Sequence, residues 1–136
     1  MLKEILFDNN SNILLGKMLD SAALKQRVIS ANVANISTPG YRKLGVSFDE
    51  KLEKAMRPEL KNMIKTRPGH LPDTNFLKEI EPEVVMIENG YWNGINNVNI
   101  DEEMVELAEN QLAFNTAAKL LSENFTRLRT AIRGKR

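Results

Sequence analysis

The chain has no cysteine, one histidine and one tryptophan among its 136 residues. Without a thiol there is neither a disulfide framework nor a thiolate metal site, so the redox compartment stays open. Aromatic residues amount to only 6% of the chain. No apolar run reaches the roughly 18 residues that a membrane span needs, and no lipid insertion is expected. The opening Met1-Leu2-Lys3-Glu4-Ile5-Leu6-Phe7-Asp8 has no apolar stretch followed by a small-residue cleavage site, so no conventional secretory signal is expected either. A dominant sign of charge is also missing. With 19 basic and 18 acidic residues the net charge is +1, which offers no global field to nucleic acid or to an anionic membrane.

Catalytic strings are absent as well: there is no Walker loop, no G-x-G-x-x-G, no H-E-x-x-H and no G-x-S-x-G. His70 stands in Thr66-Arg67-Pro68-Gly69-His70-Leu71-Pro72-Asp73, a stretch whose prolines and glycine mark a loop. With no nucleophile pattern beside it, it reads as a solvated loop histidine. Glu102, Glu106 and Glu109 share a helical face, but carboxylate metal sites recruit ligands from several helices and often a histidine. Neither an enzyme nor a cofactor nor a metal is expected. The sequons Asn35-Ile36-Ser37 and Asn124-Phe125-Thr126 have their middle residues on apolar stripes and are read as chance matches.

What the chain does have is periodicity. Apolar residues recur at alternating steps of four and three from Ile100 through Met104, Leu107, Phe114, Ala118, Leu121, Phe125, Leu128 and Ile132, broken only by Gln111. A mean period near 3.5 keeps one narrow seam facing a partner helix, the pattern of a coiled coil. Asn99 as N-cap, Glu102 reaching back in a capping box and Gly134 as the left-handed residue mark its ends. A helix from 99 to 133 would measure roughly 52 Å, longer than the ~36 Å diameter of a compact chain of this size. The seam is therefore expected to be completed partly by other chains.

The N-terminal segment mirrors it, with Leu15, Leu19, Ala22, Ile29, Val33 and Ile36 on one seam and Gln26 as the polar break. Ser11 is a candidate N-cap for a helix over 11–36, and Gly16 costs about 1 kcal/mol in a helix interior. An antiparallel hairpin within one monomer and pairing between chains are both compatible with the stripes. Asp101, Glu102, Glu103, Glu106 and Glu109 crowd the start of the last helix, and Arg127, Arg129, Arg133, Lys135 and Arg136 crowd its end. Each cluster compensates the helix dipole; the basic end is also suited to the acidic end of a neighbour.

Between the helices, over 41–98, the periodicity weakens. Ser47 and Glu50 form a candidate capping box for a short helix carrying Phe48, Leu52, Ala55 and Met56, ending near Arg57-Pro58, with Leu60, Met63 and Ile64 continuing it after a kink. Val84-Val85-Met86-Ile87 reads as a short strand, and Asn89-Gly90 before Tyr91-Trp92 as a type I′ hairpin. Gly94-Ile95-Asn96-Asn97 then leads into the last helix. The expected fold is mainly α: long terminal helices forming a coiled-coil-like layer over 1–40 and 99–136, with a small irregular middle module carrying a short helix and a hairpin.

Ser30 to Tyr41, SANVANISTPGY, reads as a helix stop: Asn35 terminates the helix in a left-handed conformation, Pro39 extends Thr38, Gly40 allows a reversal and Tyr41 anchors. The whole string resembles the signature of the axial proteins of the bacterial flagellum, with Ser30, Asn32, Asn35, Thr38, Pro39, Gly40 and Tyr41 as the motif positions. Asn97 to Gly134, NVNIDEEMVELAENQLAFNTAAKLLSENFTRLRTAIRG, is similar to the end of flagellar basal-body rod proteins of the proximal type. Together these cover both termini, about half of the chain.

The resemblance implies a structural subunit whose terminal helices form the inner coiled-coil layer of a tubular rod, acting as drive shaft and export channel. It implies export without a cleaved signal through the flagellar type III apparatus and assembly in the periplasm. Its partners would be identical subunits, other flagellar rod proteins and the small adaptor protein between rod and membrane ring. The mechanism would be mechanical: seams left unfilled in the free monomer order when neighbours bury them, with Leu121, Phe125 and Leu128 central. Gln26 and Gln111 would either fix register or face solvent-filled gaps. The competing reading is a soluble coiled-coil adaptor or export chaperone.

Overall fold

The computed structural model describes residues 10–56, 79–88 and 90–134. In chain order they form helix α1 (Asn10–Ala34), strand β1 (Leu44–Ser47), helix α2 (Asp49–Met56), strand β2 (Glu83–Met86) and helix α3 (Ile100–Arg133). The N-terminal octapeptide, the Leu60-Met63-Ile64 extension and the 66–73 loop with His70 lie outside the described residues. None of the described helices is long and apolar enough to cross a membrane.

α1 begins at Asn10, so Ser11 sits within the first turn rather than at the cap, and it stops at Ala34, short of Ile36. The stop is made by hydrogen bonds. Asn35 N–H is shared between the Ala31 and Asn32 carbonyls at 3.1 Å each, Ile36 N–H donates to Val33 O at 3.3 Å, and Asn35 Nδ2 donates to Ala31 O at 2.8 Å. This tightens the last turn towards 3₁₀ geometry and satisfies carbonyls that a helix end leaves open. Asn35 is not left-handed, because no non-glycine residue described has a positive φ; the reversal falls on Gly40, at φ 73°.

α3 ends as its sequence predicts. Asn99 is extended (φ −109°, ψ 116°) and its side chain accepts from Asp101 N–H, while Gly134 closes the far end at φ 61°. The capping box is not completed, because Glu102 points instead at Lys43, 3.4 Å away. At 34 residues, α3 is about 51 Å long. It runs antiparallel to α1, as three side-chain bonds show: Asn124 to Asn12, Asn110 to the Ala22 carbonyl and Asn32 to Glu103.

β1 and β2 pair antiparallel in the register Leu44↔Met86, Gly45↔Val85, Val46↔Val84 and Ser47↔Glu83. The strand read at 84–87 is thus present, but its partner precedes α2 and is not Tyr91-Trp92. Ser47 is used by the strand, so it does not cap α2; the Phe48 carbonyl accepts the Leu52 N–H at 2.9 Å and the Phe48 ring is buried. Lys51 of α2 bridges to Glu83 of β2 at 2.6 Å, an exposed pair that contributes little. Among the described residues the buried apolar side chains are Ala22, Val28, Ile29, Phe48, Val98 and Ala117. That core is thin for helices of this length.

Two glycines separate backbone cost from packing need. A Cβ on Gly16 meets nothing among the described residues within 4 Å, whereas one on Gly45 would fall 2.7 Å from Ile87 Cγ1. Gly16→Ala is expected to stabilise the chain by roughly 0.5–1 kcal/mol. Gly45→Ala is expected to destabilise it by about 1–3 kcal/mol through overpacking. Urea unfolding followed by circular dichroism checks both signs.

Candidate functional site

The end of α1, the start of α3 and the sheet meet in a cluster of carboxamides. Asn96 is fully buried and its Nδ2 lies 2.9, 2.9 and 3.1 Å from the carbonyls of Asn35, Ile36 and Thr38. Its Oδ1 accepts from Val98 N–H at 3.0 Å and from Asn93 Nδ2 at 3.2 Å. A segment with the look of a connector therefore caps the C-terminal end of α1. Gly40 N–H donates to Ile95 O at 3.3 Å, which fixes the turn of the helix stop against the same segment. Asn97 continues the work on the sheet side, accepting from Lys43 N–H at 2.6 Å and donating to Ile87 O at 2.8 Å.

Asn32 does on α1 what Asn96 does in the loop. Its Oδ1 accepts from Leu44 N–H at 3.0 Å and its Nδ2 donates to Leu44 O at 2.8 Å, so one amide side chain pairs with a residue of β1 as a neighbouring strand would. The same Nδ2 reaches Glu103 Oε2 at 3.1 Å and the same Oδ1 accepts from Tyr41 Oη at 3.1 Å. The motif residues divide accordingly. Asn32 and Tyr41 meet in this junction and Asn35 closes the helix. Ser30 donates to Gln26 O and Thr38 to Asn35 Oδ1, both on the exposed side with Pro39 and Gly40.

Glu103 is 0% exposed, and a buried carboxylate needs a counter-ion. Lys43, 5% exposed, supplies it: Nζ lies 3.0 Å from Glu103 Oε1, 3.1 Å from Glu106 and 3.4 Å from Glu102. Among the described residues Glu103 Oε1 has no aligned hydrogen-bond donor, so that contact is one of charge. Burial alone would lower the Lys43 pKa, but the close pairing with Glu103 and Glu106 outweighs it and holds the ammonium above its ordinary 10.5. Tyr41 is also pushed above 10.0, by burial and then by the Glu103 charge. Three of the five acidic residues read as dipole compensation thus have a local partner, and no metal-binding group occurs among the described residues.

Along α3 the face turned to α1 is displaced by one residue from the apolar stripe. Glu103, Asn110 and Ala117 are buried and Leu107, Leu121, Asn124 and Leu128 half-buried. Of the apolar stripe, Leu107, Leu121 and Leu128 are shared with that face and Ala118 is half-buried at its edge, whereas Met104, Phe114, Phe125 and Ile132 are exposed, Phe125 at 44% and Ile132 at 68%. On α1, Ala22 and Ile29 are buried and Leu15, Leu19 and Val33 half-buried; Ile36 is half-buried in the turn beyond the helix. Gln26 meets Asn110, at 3.3 Å, while Gln111 turns outward to Asn115. Leu19, Ala118, Leu121, Ser122, Phe125, Thr126 and Arg129 line a shallow groove of about 470 Å³.

Lys43, Asn93, Asn96, Asn97 and Asn110 were not singled out by sequence reasoning as interacting residues. Two signals pointed to some of them: four asparagines within Asn93–Asn99, and Glu103, Asn110, Ala117 and Asn124 repeating at sevens one residue ahead of Met104, Gln111, Ala118 and Phe125.

Comparison with known proteins bears on the same segments. Residues 19–42 match the family described as flagella basal body rod protein, and residues 95–133 match the flagellar basal body rod FlgEFG protein C-terminal family. Flagellar basal body rod protein FlgB of Borreliella burgdorferi is 36% identical over 115 residues, covering 80% of this chain and 85% of that protein. FlgB of Bacillus subtilis is 34% identical over 125 residues, covering 88% and 91%. FlgB of Aquifex aeolicus is 30% identical over 112 residues, covering 82% and 83%.

Removing Lys43 while leaving Glu103 is expected to cost about 3–5 kcal/mol, and Lys43→Met with Glu103→Leu to recover most of it. The pair is read as a double-mutant cycle in urea. Because the folded pKa values of Lys43 and Tyr41 lie above their unfolded ones, their stabilisation is complete below pH 10 and fades as the pH climbs past 10.0 and 10.5. Thermal unfolding should therefore fall with alkaline pH, and Glu103→Gln should flatten that dependence.

Proposed function

This chain belongs to the FlgB family of flagellar basal body rod proteins, and from that premise we propose how its geometry serves the rod. It is a structural subunit of the proximal rod of the flagellar basal body and assembles with other rod proteins. We assign it no catalytic role. The observation that carries the mechanical reading is the open stripe of α3: a long helix, fixed to α1 through a partly polar face, keeps Met104, Phe114, Phe125 and Ile132 outside.

In this proposal those residues, with Leu107, Ala118, Leu121 and Leu128 beside them, form the assembly seam that neighbouring subunits cover, and Leu15, Leu19, Ala22, Ile29, Val33 and Ile36 of the N-terminal segment support it from behind. The motif residues Ser30 to Tyr41 and the Asn93–Asn99 loop hold α1 and α3, the described parts of the terminal segments 1–40 and 99–136, in one antiparallel unit, and the β1–β2 ladder of the 41–98 module joins it where α1 ends and α3 begins. Coiled-coil packing between subunits then builds a tube that transmits torque and encloses an export channel. The subunit travels through the flagellar type III export apparatus without a cleaved signal and is built in the periplasm against the small adaptor protein at the membrane ring.

Mass spectrometry of purified hook–basal bodies tests this reading, with the chain's peptides expected in proportion to the other rod components. A soluble cytoplasmic oligomer absent from basal bodies would instead mark an adaptor or chaperone. Phe125→Ala should cost the isolated chain well under the ~3–5 kcal/mol of a fully enclosed aromatic, yet sharply reduce incorporation into basal bodies. Unchanged incorporation would count against the seam.

A further inference from the structure

The acidic residues at the start of α3 fall into two groups. Glu102, Glu103 and Glu106 are engaged by Lys43, and Glu106 also by Lys25 at 3.6 Å. Asp101 and Glu109 are exposed and make no ion pair among the described residues. Residues four apart on a helix stand one above the other, so Asp101, Val105 and Glu109 form a row with apolar Met104 and Leu112 beside it. Val105 is 58% and Leu112 70% exposed. Polar edges around an exposed apolar centre are the anatomy of a protein–protein contact.

The other end of α3 repeats the design with opposite sign. Phe125, Arg129 and Arg133 form a row at the same four-residue step, with Ile132 alongside, and both arginines are exposed without an ion pair among the described residues. From Val105 to Arg129 along a straight helix is about 36 Å. One copy therefore cannot bring its own two rows together.

We propose that these rows are the two halves of one contact between copies of this chain: the acid-edged patch at the start of α3 receives the base-edged patch at the end of α3 of the next copy. The proposal rests on the rod reading, because a rod must propagate. Since one patch meets a different patch, the contact is heterologous and leaves an unsatisfied half at each end, where a further copy adds. Charge complementarity sets the partner and its polarity, and the apolar centres supply the area.

The absence of cysteine makes the test direct. Val105→Cys and Ile132→Cys chains are produced together in a flagellated bacterium lacking its own copy, and purified basal bodies are mildly oxidised. A mixed disulfide between the two positions is expected, identified by peptide mass spectrometry, with none in basal bodies built from either variant alone. A Lys119→Cys chain should not cross-link to itself; if it does, the helices pair symmetrically and antiparallel, and the proposal is overturned.

Arg129→Glu with Arg133→Glu should lower incorporation at least about tenfold, and adding Asp101→Lys and Glu109→Lys to the same chain should restore it. Circular dichroism of the variants separates this loss from misfolding, since all four side chains are exposed. Basal bodies that contain the chain but give neither the mixed disulfide nor the rescue sink the contact and leave the rod reading standing. Absence of the wild-type chain from basal bodies removes both.

Discussion

A carboxylate taken wholly out of water is the constraint around which the junction is arranged. Glu103 reaches that position only with Lys43 beside it and Asn32 donating to it. Lys43 in turn directly precedes β1, and Asn32 holds Leu44 by both backbone groups. One buried charge thus ties α1, β1 and α3 together. Such pairs add little net stability over well-packed apolar residues, but breaking one is costly. Their effect here is to exclude other registers: sliding α3 by a turn would leave Glu103, Asn96 and Asn110 buried without the partners they now have.

The one-residue offset between the two faces of α3 follows from the same logic. The face turned to α1 carries Glu103, Asn110 and Asn124, each with a designated acceptor or donor on α1 or β1. A polar residue in a helical seam specifies register at a cost in stability. The apolar face has no such requirement and can pack wherever shape and area allow. Exacting contacts are therefore kept inside the chain and the exposed stripe is left without a polar requirement, which suits a subunit that assembles with other rod proteins.

Much of this was legible in the sequence. The two long helices, Asn99 as cap, Gly134 as terminator, the short helix after Phe48 and the strand at 84–86 all follow from local chemistry, because caps, turns and 3.6-residue periodicity act over a few residues. β1 was not legible: Leu44-Gly45-Val46-Ser47 has little strand character of its own, and its pairing with β2 and Asn32 is long-range. Nor was the side of α3 that faces α1, since periodicity finds the most apolar stripe and the intrachain face is partly polar. Asn93, Asn96 and Asn97 look like loop formers, and only the fold turns them into the cap of a helix far away in the chain.

Antiparallel pairing of α1 with α3 sets the start of α1 beside the later part of α3, where Asn12 meets Asn124, and places both connections to the middle of the chain at the opposite end. There the Asn96 cap and the β1–β2 ladder clasp the outgoing and returning strands side by side. Phe48, just past β1, still packs into the core, and the chain from there to Glu83 is a single excursion that leaves and re-enters at this clasp. Lengthening that excursion costs little beyond loop-closure entropy, roughly 0.6 kcal/mol per doubling. The fold is in effect a fixed handle with an adjustable insertion: selection can change the length of that excursion without retuning the paired helices and the clasp that closes them.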